Sequence, residues 1–559
     1  MSQATQSPSP AAEPATDGQE PRTTHESRAL GHAVGGGMSW MVVATIGTRA
    51  ATFAAQILLG WWLLPRDFAL YGVATALAGF MMICRDMSTG TLLVQRGREA
   101  YRSNDGAAFW LAFTYNIIVA SVGSIAAFPL ANRVYNQPEL AWMLVVMLWA
   151  LPIGAVGNNL FARLRLDLRF KAFSWQMALS GLFRQVAMIV LARMGFGPMS
   201  FALPMLLNSI FDSVSLYLIT REAPWTRPPQ FDQWVGMIRQ AVWLMVNSLA
   251  NFAMDYGPFL VLGPIMALTL ANEKAAYDIV GFYFFAYQIT GQIGVMLAYN
   301  AMIVLVPALQ RMKGEPERQR AAALRALRTL MFTGSICSLG LASIMGPLER
   351  ILWQGKFAES VAAILIFGAF YPWRITFGLC TSVLMAQGAF RRLAVLSAFE
   401  CIGLIAASAA AGFVSPSVQG IAWWTGGWVM FSRMLSTWYV FHKLGGRWTA
   451  TVSAMVPAWL VALAAFGVAM WMDHRLQLGS TIAGNARVIN YLTTLVGPER
   501  CDHWAAIAGN AAQLIVTGGM CAAVFVVLAS LFLADDMRDM LRVMPARVRG
   551  PLLKLMRLD

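Results

Sequence analysis

About fourteen apolar stretches long enough to cross a bilayer run from Ser39 to Ala534, and four arginines, Arg49, Arg184, Arg374 and Arg433, lie inside them. A cation near the bilayer centre costs roughly 2.5 to 3.5 kcal/mol on the mildest scale, so such residues face a hydrated cavity or a partner rather than lipid. Together these features predict an all-α integral membrane protein with a polar, cationic interior. An anionic, strongly hydrated cargo suits such an interior.

Charge supports this reading. Only 13% of the residues are charged, against roughly 25% in an average soluble domain. The net charge of +14 does not form one patch. Basic residues recur in clusters between spans: Arg85, Arg96, Arg98 and Arg102; Arg163, Arg165, Arg169 and Lys171; Arg311, Lys313, Arg318, Arg320, Arg325 and Arg328. That spacing is the positive-inside pattern of a bacterial inner-membrane protein and not a nucleic-acid footprint. With the N-terminus inside, it places both termini in the cytoplasm.

The chemistry of cofactors is sparse. The six cysteines form no framework, and no pair of the five histidines has ligand spacing, so neither disulfides nor metal sites are expected. No GxxxxGK[ST] motif is present, which excludes nucleotide hydrolysis by that route. No cofactor is expected; a proton or sodium gradient is the candidate energy source.

Residues 1–37, rich in Pro, Ser, Ala and Gly, read as a disordered cytoplasmic tail. The first apolar run, about 25 residues, exceeds the roughly 7 to 15 of a cleavable signal core and should remain as a span. Residues 38–230 then hold six spans and 231–445 six more. Residues 446–534 hold two further spans around an outer loop, 473–505, and 535–559 form a basic cytoplasmic tail. The run from Gln56 can be laid over that from Pro258, matching Gly60 to Gly263 and Gly72 to Gly281. This puts the seventh span at the start of a second half, as in transporters built from two related bundles.

Helical spacing gathers the polar residues into faces: Thr45, Arg49, Thr52 and Gln56; Gln176, Ser180 and Arg184; Asn208, Asp212 and Ser215; Asn247, Asn251 and Asp255. Candidate lining of a substrate cavity is Arg49, Gln56, Arg184, Asn247, Asn251, Arg374 and Arg433. Candidate ion-coupling carboxylates are Asp255, Glu400 and Asp212. The alternative is interhelical glue, with Arg184 paired to Asp212 and Arg433 snorkelling toward the edge near Lys443.

The stretch Leu63–Arg96, LLPRDFALYGVATALAGFMMICRDMSTGTLLVQR, resembles the signature joining the first two spans of bacterial polysaccharide transporters. These are the lipid-linked oligosaccharide flippases of the multidrug/oligosaccharidyl-lipid/polysaccharide exporter superfamily. Leu63, Leu64, Pro65, Asp67, Phe68, Val94, Gln95 and Arg96 carry the likeness, and ARLRLDLRFKAF from Ala162 is similar to a second family segment. Ala69 stands where glycine is usual.

The resemblance implies two pseudo-symmetric six-helix lobes around a central cationic cavity, plus two extra C-terminal helices. It also implies a monomer, not an enzyme, that moves an undecaprenyl-diphosphate-linked oligosaccharide to the periplasmic leaflet, with membrane lipids, a polymerase and a co-polymerase as partners. A lipid-linked peptidoglycan precursor flippase and a membrane-bound polysaccharide polymerase or ligase remain alternatives. The residues of the outer loop, His474, Arg475, Arg487, Arg500 and His503, are too scattered to suggest a polymerase site.

The clusters generate a topological prediction. Cysteines introduced at Arg98, Arg169 and Arg320 should be shielded from a membrane-impermeant reagent in intact cells, and one at Arg487 should be labelled. Labelling at position 320 would overturn the span count.

Overall fold

A computed structural model describes residues 47–82, 89–167, 169–312, 314–476, 481, 485 and 498–534. The expected tails 1–37 and 535–559, most of the loop 473–505 with Arg487, and Thr45, Arg85 and Asp86 lie outside the described residues. Val94, Gln95, Arg96 and Arg98 fall on a described helix, but their side chains do not belong to the described part.

Among the described residues there are fourteen long helices and no strand. They are α1 (47–62), α2 (Pro65–Met82), α3 (Thr89–Pro129), α4 (Pro138–Leu166), α5 (Phe170–Arg193), α6 (Met199–Thr220) and α7 (Trp234–Thr269). The second half continues with α8 (Glu273–Arg311), α9 (Pro316–Trp353), α10 (Ala358–Gln387), α11 (Phe390–Val414), α12 (Val418–Lys443), α13 (Trp448–Leu476) and α14 (Pro498–Phe532). Ten are long and apolar enough to cross a membrane by length and composition alone; α1, α2, α8 and α12 are not among these. In α12 the apolar run is broken by Thr425, Gly426, Gly427, Ser432, Arg433 and Ser436.

The outside of the bundle carries bulky apolar side chains in the open, with Ile125 76% and Leu268 80% exposed. A surface of that kind is stable against hydrocarbon and not against water. The chain is a multi-pass membrane protein.

Several helices outrun the spans expected from hydropathy. α9 begins at Pro316, where the missing N–H of proline is harmless in the first turn, so Arg318, Arg320, Arg325 and Arg328 stand on the first turns of a helix instead of in a loop. Arg320 Nη1 donates to Gly445 O at 2.7 Å, tying the start of α9 to the turn after α12 at one end of the bundle.

The two halves repeat one packing scheme. α3 lies on α4, α4 on α6 and α5 on α6; six helices later, α9 lies on α10, α10 on α12 and α11 on α12. Pro152 and Pro372 occupy the same place along α4 and α10. Each removes one backbone hydrogen bond from a buried helix. The last two helices, α13 and α14, pack on each other and against α9.

The lobes meet where α2 lies on α8 and α7. A Cβ on Gly281 would sit 1.9 Å from Pro65 O, and one on Gly72 would strike the Phe284 ring, so only glycines allow this crossing. Gly60 abuts Trp353 and Gly263 abuts Tyr135. The hydrogen bonds are reciprocal as well: Trp353 Nε1 donates to Ile57 O at 3.0 Å, and Tyr135 Oη donates to Leu260 O at 3.0 Å. Both pairs of glycines aligned in the sequence therefore sit at equivalent places in the contact between halves.

Around these latches the end bearing the α1–α2 and α9–α10 turns is closed. Lys356 Nζ donates to Gly60 O at 3.0 Å, and Tyr277 Oη to Tyr135 O at 2.6 Å. Burial lowers the pKa of Lys356, opposed by the carboxylate of Asp67. Phe68 makes edge contacts with Phe201, Phe285 and Phe357, and Phe285 stacks on Phe357. Edge-to-face pairs of this kind are worth about 0.5 to 1.5 kcal/mol beyond burial.

Gly281→Ala should destabilise the folded protein by about 1 to 3 kcal/mol, since the added carbon meets backbone that cannot swing away. Gly519→Ala, which meets nothing within 4 Å, should be neutral. Thermal unfolding of the two purified variants checks the difference.

Candidate functional site

Tyrosines and arginines converge between the lobes. Tyr256, on α7, lies within electrostatic reach of Tyr71 and Arg184 from the first lobe and of Asp255 and Arg374 from the second. Arg184 Nη2 donates to Tyr71 Oη at 3.3 Å. Arg374 Nη2 donates to Asp255 Oδ1 and, at 2.8 Å, to Tyr287 Oη. Its guanidinium also lies over the rings of Tyr287 and Tyr371, 5.3 and 5.6 Å from their centroids. The Asp255 side chain is 51% exposed and that of Arg374 19%, so the carboxylate is the more exposed member of the pair.

α1 contributes to the same region. Its polar face turns toward both lobes: Gln185 Nε2 donates to Thr52 Oγ1 at 3.1 Å, and Gln56 Nε2 to Gln288 Oε1 across the divide. Arg49 lies two turns before Gln56 and is partly exposed. Asn247 and Asn251 are on α7, but their side chains fall outside the described part.

Each lobe also carries a partly open cavity, and the two are equivalent. The first, about 150 Å³, is lined by Ala150, Leu151 and Gly154 of α4, Arg184 of α5, and Met205 and Ser209 of α6. At constant spacing in the chain these correspond to Phe370, Tyr371 and Arg374 of α10, Leu404 of α11, and Thr425 and Val429 of α12, which line the second, about 30 Å³. Each lobe thus places one arginine in the matching hollow, but from a different helix. Gly154 leaves room opposite Arg184, and Leu404 is the neutral counterpart opposite Arg374. Aromatic rings fill the second hollow, which explains its smaller volume.

Asp212 also borders the first cavity. The ion pair with Arg184 considered from the sequence is replaced by amide contacts: Asn208 Nδ2 and Gln176 Nε2 donate to its carboxylate at 2.9 and 3.2 Å, while Arg184 takes the tyrosine hydroxyl. Arg433 does not snorkel. It is 4% exposed, paired with an equally buried Glu400 at 2.5 Å, and lies over the Phe377 ring. Ser436 Oγ completes the site by donating to Glu400 at 3.0 Å. The pair belongs to the second lobe and lies within electrostatic reach of Arg374.

The four tyrosines are absent from the sequence-level candidates. The available signals were Tyr371 one helical turn before Arg374, and Tyr287 one turn after Tyr283, which lines the second cavity with it, on one face of α8.

Two related bundles of six helices, with a polar seam between them, make a membrane-protein fold shared with two solved structures. One, titled lipid II flippase MurJ, inward closed conformation, superposes with a TM-score of 0.64 at 11% identity, over 89% of this chain and 99% of that one. The other, an inward-facing multidrug resistance MATE family transporter of the MOP superfamily, gives 0.58 at 14% identity, over 71% and 94%. These likenesses concern the fold.

Residues 58–362, more than half of the chain, match the polysaccharide biosynthesis protein family, and the chain belongs to it. Succinoglycan biosynthesis transport protein ExoT of Rhizobium meliloti (strain 1021) is 24% identical over 325 residues, covering 57% of this chain and 63% of that protein's length.

The buried pair Arg433–Glu400 carries a prediction. Arg433→Met alone strands a buried carboxylate and should cost about 3 to 5 kcal/mol. Adding Glu400→Gln should restore most of that loss, as read from the unfolding temperatures of the single and double variants.

Proposed function

We propose that this protein flips an undecaprenyl-diphosphate-linked oligosaccharide from the cytoplasmic to the periplasmic leaflet of the bacterial inner membrane, for assembly of an exopolysaccharide, capsule or O-antigen. The observation that carries this reading is the convergence of Arg184 and Arg374, from opposite lobes, on the tyrosines between them. A diphosphate with its sugars is anionic and hydrated, and guanidinium suits it because its planar fork donates parallel hydrogen bonds to phosphate oxygens. Arg49 and Gln56 extend the same polar strip, and tyrosine rings offer surfaces for sugars. The prenyl tail stays in lipid.

Alternating access follows from a seam latched at one end. In this reading the latched end faces the periplasm, both termini are cytoplasmic, and the chain works as a monomer, handing its cargo to a polymerase and co-polymerase. Family membership and the named transport relative favour polysaccharide units over the peptidoglycan precursor. Transport without covalent chemistry needs only binding and release. A proton or sodium gradient would drive it, with Asp212 and Glu400 as the candidate coupling carboxylates.

Arg49→Ala, Arg184→Ala and Arg374→Ala should each reduce delivery of polymer to the cell surface by roughly ten- to a hundredfold at normal protein levels, the effect of losing one charge-assisted contact. Lysine should restore part of it, because an ammonium keeps the charge and loses the fork. Lipid-linked units should accumulate in the cytoplasmic leaflet. Their accumulation in the periplasmic leaflet would point instead to a polymerase.

A further inference from the structure

The two inter-lobe arginines are in different states. Arg184 donates to a neutral hydroxyl, that of Tyr71, whereas Arg374 is already held by an anion, the carboxylate of Asp255. A phosphate approaching Arg374 therefore meets an occupied guanidinium.

We propose that Asp255 is a built-in competitor for the anion site: its carboxylate holds Arg374 until a diphosphate headgroup displaces it. This rests on the reading of Arg374 as a headgroup ligand. Exposure makes the exchange feasible. Asp255 is 51% exposed in its side chain, so after release it stays hydrated and needs no new partner. The neighbouring pair provides the contrast, since Glu400 and Arg433 are each 4% exposed and a released partner there would be a buried, unmatched charge. Tyr287 can keep its hydrogen bond to Arg374 throughout, holding the guanidinium in place while the anion changes.

The sign of the resulting linkage follows. Neutralising Asp255 frees Arg374, so a proton on Asp255 favours anion binding, and by reciprocity the anion favours the proton only through this release. Exchange of a proton for an outgoing anionic lipid needs the opposite sign, mutual exclusion. Asp255 is thus a specificity-determining residue and not the antiport site.

Among the described residues, the titratable and charged groups around Asp255 are Arg374 and Tyr371 of α10, Tyr287 of α8 and Tyr256 of α7 itself. At longer range come Arg433 of α12, Tyr71 of α2, Arg184 of α5 and, through Arg374, Glu400 of α11. No other carboxylate among these makes a contact with Arg374.

The test is binding of farnesyl diphosphate, and of inorganic diphosphate, to the full chain purified in detergent, measured by calorimetry. Asp255→Asn and Asp255→Ser should bind farnesyl diphosphate about tenfold more tightly than wild type, the low end of coupling between close charge pairs. Asp255→Glu should show no gain. Arg374→Ala in the Asp255→Asn background should abolish the gain. An equal gain for inorganic diphosphate would show that the phosphates alone are read; a gain confined to the prenyl compound would show that the tail must also be seated, and either supports competition.

If wild type binds and Arg374→Ala weakens it, but neither neutral variant binds more tightly, competition is overturned while the headgroup site stands. If Arg374→Ala changes nothing, the headgroup reading itself fails. Loss of folded protein in both Asp255→Asn and Asp255→Ser would also overturn the proposal, because a displaceable competitor is dispensable for folding.

Discussion

A guanidinium inside a bilayer must be matched, and the organisation of this protein follows from how the matching is distributed. Arg433 is paired with Glu400 within the second lobe, where both are buried. At 4% exposure it does not reach the seam. Arg374 is matched by a carboxylate that stays half-exposed, and Arg184 by a hydroxyl that carries no charge. The degree of neutralisation falls from the lobe interior toward the seam. Unspent positive potential therefore accumulates where the two halves face one another, and fixed cations there act on an anion without reorganising.

Much of this architecture is legible in the sequence. Apolar run lengths give the helices, and the glycine pairs Gly60/Gly263 and Gly72/Gly281 give the repeat, because each marks a contact with the other half, and at Gly60, Gly72 and Gly281 the approach is too close for a Cβ. Helix ends are less legible. Hydropathy tracks the hydrocarbon, not the hydrogen-bond ladder, so α9 carries its arginines on helical turns that the apolar pattern assigns to a loop.

The candidate site was legible in its charges and not in its partners. Spacing along one helix places Arg184 on an interior face, yet it cannot tell whether Asp212, on the next helix, or Tyr71, three helices away in the chain, lies at the right height. That depends on helix rotation and shift, which are set by packing. The equivalence of the two lobe cavities was hidden for a related reason. The repeat keeps the hollow and exchanges its lining, so Gly154 in the first lobe corresponds to Arg374 in the second and Arg184 to Leu404, and a comparison of residue identities finds nothing to align.

The latches at the closed end, Trp353 on Ile57 O and Tyr135 on Leu260 O, are neutral bonds to backbone carbonyls. Each is worth about 0.5 to 1.5 kcal/mol net, so the symmetric pair biases the closed form by roughly 1 to 3 kcal/mol, or about 5- to 150-fold in population. That is enough to define a resting shape and small enough for thermal motion to undo. Because the acceptors are main-chain oxygens, the bias does not depend on which side chains occupy positions 57 and 260. The side chains at those two positions are thereby free to diverge while the mechanical threshold of the machine stays constant.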